Sequence, residues 1–193
     1  MRNPTTGQVR IIGGEWRGRK LPVPDIPGLR PSGDRGRETL FNWLAAAVPG
    51  ARCADLFAGS GALGFEAASR GASHVDMVEI SPVAVSSLLD SVERLGAKQV
   101  SVHRANVVDW IRSLDPDSLD IVFMDPPFDS GLAVRAARIL QERRCVTDGG
   151  FVYVETAVRF AALQLGTDFV PHREQELGEV RMQLFRKGVI RES

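Results

Sequence analysis

The sequence has few of the residues that cross-link a chain or hold a metal. Its 193 residues include only two cysteines, Cys53 and Cys145, far apart and without CxxC spacing. That excludes a disulfide framework and fits free buried thiols in a reducing cytoplasm. Three scattered histidines, His74, His103 and His172, give no metal-ligand pattern, so no metal is expected. No apolar run approaches membrane-span length, and the first residues lack the apolar core of a signal peptide. The expectation is a cytoplasmic protein with no membrane association. Repeats and low-complexity segments are absent as well. Even net charge is missing, with 24 basic residues against 24 acidic ones.

The zero hides an asymmetry. Residues 1–37 carry a net plus five, leaving minus five on the rest of the chain. A basic arm on an acidic body points to a polyanion handled at one end. The arm opens with Arg10-Ile11-Ile12-Gly13-Gly14, which predicts a short hairpin with a Gly-Gly turn. A connector with Pro22, Pro24, Pro27 and Pro31 follows, too stiff for regular structure. We therefore divide the chain into a basic hairpin and connector over 1–33 and a main domain over 34–193. In the main domain Asp34 is expected to cap a helix bearing Leu40, Phe41, Leu44 and Val48 at helical spacing.

From there strands and helices alternate. Strands are predicted at 51–57, 74–80, 99–103, 119–124, 150–155, 168–172 and 180–186. Ser81-Pro82 starts a helix with Val85, Leu88, Leu89, Val92 and Leu95 on one face, and Gly96 ends it. The last two strands have no helix between them and read as an antiparallel pair. The fold class is α/β and Rossmann-like: a mostly parallel seven-stranded sheet, helices on both faces, an antiparallel terminal hairpin and a small N-terminal hairpin.

Chemistry gathers at the predicted strand ends. Asp125-Pro126-Pro127-Phe128 follows an apolar strand; two prolines stop pairing and leave a carboxylate, a backbone carbonyl and an aromatic face together. Acceptors beside a stacking platform suit a planar group with an amino function, such as a nucleobase. Upstream, Asp55-Leu56-Phe57-Ala58-Gly59-Ser60-Gly61-Ala62-Leu63-Gly64 contains G-x-G-x-x-G. That match admits a nicotinamide-dependent oxidoreductase. Asp55 argues otherwise, since a carboxylate there opposes pyrophosphate and favours a cationic ligand such as the amino-acid end of S-adenosylmethionine (AdoMet). Glu79 can accept ribose hydroxyls, and Asn106 can meet an adenine edge or simply cap a helix.

Taken together these residues resemble a class I AdoMet-dependent methyltransferase acting on an exocyclic amine. More closely, the chain resembles the bacterial 16S ribosomal RNA guanine-N2 methyltransferases of the RsmD type. The likeness is carried by Arg10–Gly14 with residues 16–21, by Leu29-Arg30-Pro31, by residues 34–44 and by residues 55–64. It continues through Val78-Glu79 and Asp125–Phe128 to Gly178-Glu179-Val180-Arg181. Family members usually have Thr-Thr where this chain has Ser32-Gly33, and Asp where it has Asn106. The resemblance implies AdoMet held by Asp55, Ala58, Gly59, Ser60, Gly61, Glu79 and Asn106. It implies a flipped guanine held by Asp125, Pro126 and Phe128. Arg10, Trp16, Arg17, Arg19, Lys20, Arg30, Arg35 and Arg37 would then engage 16S rRNA, within a small ribosomal subunit or an assembly particle, and the protein is expected to be a monomer. Trp16 has a second reading, pinning the hairpin to the body. A DNA adenine-N6 or cytosine-N4 methyltransferase shares the core motifs, and a non-enzymatic RNA-binding assembly factor would share the basic arm.

Overall fold

A computed structural model describes residues 5–25, 33–127 and 131–188. Its centre is a seven-stranded sheet. The strands are β3 (Arg52–Asp55), β4 (His74–Glu79), β5 (Val100–Arg104), β6 (Leu119–Met124), β7 (Val146–Ala157), β8 (Phe169–Leu177) and β9 (Val180–Lys187). They lie in the order β5-β4-β3-β6-β7-β9-β8. The first five in that order are parallel, and β9 and β8 close the sheet antiparallel. β3, β4 and β5 step outward one way, then the chain returns to lay β6 on the other flank of β3. That reversal opens a crevice at the C-terminal ends of β3 and β6, where open α/β sheets bind ligands.

Two buried clusters cover the sheet faces. One gathers Cys53, Val75, Phe123 and Tyr153 with Phe41, Phe65 and Leu88; the other gathers Val122, Met124, Val152 and Val154 with Ile111, Ala136 and Leu140. The alternation of side chains along each strand produces the two sets. Cys53 is sealed in, and burial pushes its thiol up to about 12.

The helices are α1 (Asp34–Trp43), α2 (Ala62–Ser69), α3 (Pro82–Leu95), α4 (Val107–Arg112) and α5 (Leu132–Glu142). α3 starts and stops where the sequence predicts. Ser81 Oγ accepts from the Ala84 N–H, Pro82 takes the first position, and Gly96 leaves the helix at φ 64°. Its inner face is Ala84, Ser87, Leu88 and Ser91, while Leu89 points outward, 51% exposed. α1 is capped by Gly33; Asp34 is its first residue and makes no cap bond, because its carboxylate is taken by Arg37.

The N-terminal hairpin pairs β1 (Thr5–Arg10) with β2 (Lys20–Pro24), Arg10 opposite Lys20. Its loop is longer than predicted, and Gly13-Gly14 is not its turn. Those glycines press onto α2 instead: a Cβ on Gly14 would strike the Ser69 carbonyl, and one on Gly13 would meet the Arg70 guanidinium at 2.6 Å. Pro22 and Pro24, expected in the connector, belong to β2. A two-stranded ribbon keeps an open edge, where a missing N–H costs no ladder bond.

Candidate active site

The turn from β3 into α2 is built for close approach. Gly59 (φ 52°) and Gly61 (φ 78°) take left-handed conformations that side chains rarely adopt. A Cβ on Gly61 would also collide with Phe65 and Leu88, and one on Gly64 would meet Met77 at 2.6 Å. The third glycine thus serves helix-to-sheet packing. Ala58, before the first glycine, and Ser60, between the first two, are buried.

Asp55 ends β3 with only 1% exposure. Its Oδ2 accepts from the Gly64 N–H at 3.0 Å, while Oδ1 is buried with no hydrogen-bond partner of good geometry. Burial raises this carboxyl to about 7, opposed by the Gly64 and Phe57 N–H groups and reinforced by the charges of Asp125 and Glu79. A buried acid with an unmet acceptor fits an incoming cation. The site therefore suits the ammonium end of AdoMet, and the glycine turn leaves room for it.

Glu79 closes β4. Its Oε2 accepts from the Gly59 N–H at 2.9 Å and its Oε1 from the Ser81 N–H at 2.8 Å. Two N–H groups fix the carboxylate, and each oxygen retains a lone pair for a ribose hydroxyl. The next residue, Ile80, is 65% exposed, an apolar side chain that sequence reasoning passed over because nothing in its type marks it. Asn106 caps α4, its Oδ1 accepting from the Val108 N–H at 2.9 Å. Of its two readings the structure shows the cap, at an exposed position after β5.

Asp125 and Pro126 follow β6 directly, Asp125 half-buried and Pro126 buried. Phe128 lies outside the described residues, as do Arg30, Pro31 and Ser32. Beside the Pro-Pro turn opens a cleft of about 350 Å³, bounded by Pro126, Pro127, Val134, Glu155, Thr156 and Phe160. Glu155 is the residue that sequence reasoning missed. It is buried at the end of β7, accepts from the Tyr153 hydroxyl at 2.7 Å, and is raised to about 8 by burial and by the charge of Asp125. Only the pairing of β7 beside β6 brings it to the site.

The basic arm divides. Arg10, Arg17, Arg19, Lys20 and Arg35 are exposed. Arg37 is not: its guanidinium is buried among Asp34, the Arg10 carbonyl and Glu66, so a place for it on an RNA surface is withdrawn. Trp16 is 7% exposed and packs in the core with Ile11, Leu21 and Phe41, so in this fold it pins the hairpin. The anchor beneath both is Glu66, wholly buried, which accepts from the Ile12 and Gly13 N–H groups and from Arg70. Trp43 and Trp110 pack against the two cores. His74 and His103 share Asp76.

Comparison with known proteins follows this geometry. A family model described as Conserved hypothetical protein 95 matches residues 9–186. The ribosomal RNA small subunit methyltransferase D of Escherichia coli K12 is 42% identical over 188 residues, 97% of this chain and 94% of that one. A solved structure of a putative methyltransferase from Escherichia coli superposes with a TM-score of 0.87 at 40% identity, covering 94% of this chain and 99% of that chain. A T. thermophilus 16S rRNA N2 methyltransferase, solved with AdoMet and guanosine, shares the fold at TM-score 0.69 and 21% identity, over 95% of this chain and 50% of that one. With nearly its whole length matched by one family, this chain belongs to the small-subunit ribosomal RNA methyltransferase D family.

Proposed function

We propose that this methyltransferase moves a methyl group from AdoMet to the exocyclic N2 of a guanine in 16S rRNA. The observation that carries the reading is the pairing of β3 with β6. It sets Asp55, with its unmet acceptor, beside the strand that delivers Asp125-Pro126-Pro127. A site for a cation and a site for an amino group thus open on one crevice.

AdoMet, when bound, supplies an electrophilic methyl on a sulfonium. Asp55 would hold its ammonium, Glu79 its ribose hydroxyls, and exposed Ile80 would cover a face of its adenine. The guanine amine is a poor nucleophile because its lone pair is delocalised into the ring. Asp125 and the Pro126 carbonyl would accept its hydrogens and turn the lone pair out of the ring plane as the nitrogen becomes tetrahedral. No strong base is required, since the nitrogen becomes acidic once methylated. Phe128 would stack on the base, worth about 1–3 kcal/mol by analogy with single-strand binders. The base must leave its stack to reach the crevice. Arg10, Arg17, Arg19, Lys20 and Arg35, exposed on and beside the hairpin, would contact RNA phosphates, with Arg30 adding to them.

The test offers labelled AdoMet with undermethylated small-subunit particles, protein-free rRNA and duplex DNA, and identifies the product nucleosides by mass spectrometry. N2-methylguanosine from a ribosomal substrate is the expected product. Methyladenine or methylcytosine in DNA would move the chain to the amino-methyltransferases of DNA. AdoMet left unbound would favour an assembly factor.

A further inference from the structure

Asp-Pro-Pro alone does not select guanine, because adenine and cytosine also carry exocyclic amines that a carboxylate and a carbonyl can accept. The difference lies one atom away. Guanine has an N–H at N1 beside its amine, whereas adenine and cytosine have a ring lone pair there. A guanine-selective site therefore needs a second acceptor next to the first.

The sheet provides one. β6 and β7 run parallel with Phe123 opposite Tyr153 and Met124 opposite Val154. One step past the last paired residues, Asp125 leaves the end of β6 while Glu155 continues β7, and the two lie close enough for the Asp125 charge to raise the Glu155 carboxyl. Glu155 borders the cleft beside Pro126 and Pro127. The Tyr153 hydroxyl donates to its Oε1 and opposes, without outweighing, the burial and Asp125 charge that raise the carboxyl to about 8, so a second donor is what would ionise it. A neighbouring group lacks a partner: the buried Thr156 hydroxyl, which also borders the cleft. Unmet polar atoms around a preformed opening mark a ligand rather than a fold requirement.

We propose that Glu155 is the base-selecting residue: its carboxylate accepts the guanine N1–H while Asp125 and the Pro126 carbonyl accept from N2. The assignment rests on the guanine reading above. Facing adenine or cytosine above about pH 8, where Glu155 is ionised, the same carboxylate meets a lone pair, and a buried acceptor without its donor is the kind of mismatch that discriminates strongly.

The experiment uses small-subunit particles reconstituted with RNA carrying either guanine or 2,6-diaminopurine at the acceptor position. Diaminopurine keeps the N2 amine but has a lone pair at N1. Wild-type protein should prefer guanine by at least about tenfold in kcat/KM. Glu155→Gln, whose amide can donate to that lone pair, should narrow or invert the ratio with AdoMet affinity unchanged. Glu155→Asp should lose rate yet keep the guanine preference. A wild-type preference for diaminopurine, a Glu155→Gln ratio equal to wild type, or a defect confined to AdoMet affinity would each overturn the assignment. A wild-type preference for diaminopurine overturns it even if the variants fail to fold. Absence of any transfer to guanine, by contrast, would overturn the reading of the reaction itself.

Discussion

Two buried carboxylates, one in α2 and one at the end of the strand before it, are treated in opposite ways. Glu66, within the helix, is saturated: two backbone N–H groups from the hairpin loop and Arg70 donate to it, and Arg37 stands 3.7 Å away. Asp55, at the end of β3, has one good donor, an unmet oxygen and a carboxyl raised to about 7. The first acid is consumed by the fold, joining hairpin, α1 and α2 into one packed unit. The second is left short of partners, and a group short of partners is what a ligand completes. Burial alone therefore does not separate structural from functional charge; the count of donors does.

The sharpest way to break that contrast is to remove the saturated acid. Glu66→Ala should cost about 3–5 kcal/mol, because it strands buried Arg37 and two N–H groups. Chemical denaturation measures it, and a loss under 1 kcal/mol would mean that Glu66 is not the anchor. The acids of the crevice should behave in reverse. Asp125→Ala should lower kcat by about 10²–10³ with AdoMet affinity and stability near wild type. Single-turnover kinetics with near-normal rates would remove Asp125 from the chemistry. Asp55→Asn should weaken AdoMet by the worth of a charge-assisted contact, about 1.5–3 kcal/mol, while leaving the fold intact.

The same acid sets a pH dependence. Folded Asp55 holds its proton to about 7, against an ordinary 3.8. Between those values the folded state binds a proton that the unfolded state has lost, so this group's contribution falls as pH rises through the window. Glu155 adds the same sign up to about 8. Thermal denaturation of the free protein from pH 5 to 8 should show the decline, and Asp55→Asn should flatten it below pH 7. The smallest effects belong to the exposed arm. Neutralising Arg17, Arg19 and Lys20 one at a time should reduce the salt slope of RNA binding by about 0.7–0.9 each, whereas Arg37→Ala should destabilise the fold.

What the sequence revealed follows the range of the interactions involved. The glycine turn, the strand-end acids, Asp-Pro-Pro and the caps of α3 are local, and a few neighbouring residues specify each. Arg37 and Gly13-Gly14 took their roles from docking against Glu66 and Ser69, more than 25 residues away in the chain for each of them, so residue type alone cast them as an RNA contact and as a turn, while docking on Ser69 decided between the two readings of Trp16. Asp34 lost its cap role to the same network. Glu155 was invisible because only the β6–β7 register puts it beside Asp125.

The contrast between the two acids is tested most directly by calorimetric titration of AdoMet at about pH 6 in two buffers of different ionisation enthalpy. If Asp55 is the cofactor's counter-charge, binding must ionise it, and wild type should release close to one proton while Asp55→Asn releases none and binds more weakly. Proton release unchanged in Asp55→Asn, with unchanged affinity, would show that the unmet acceptor serves something other than AdoMet.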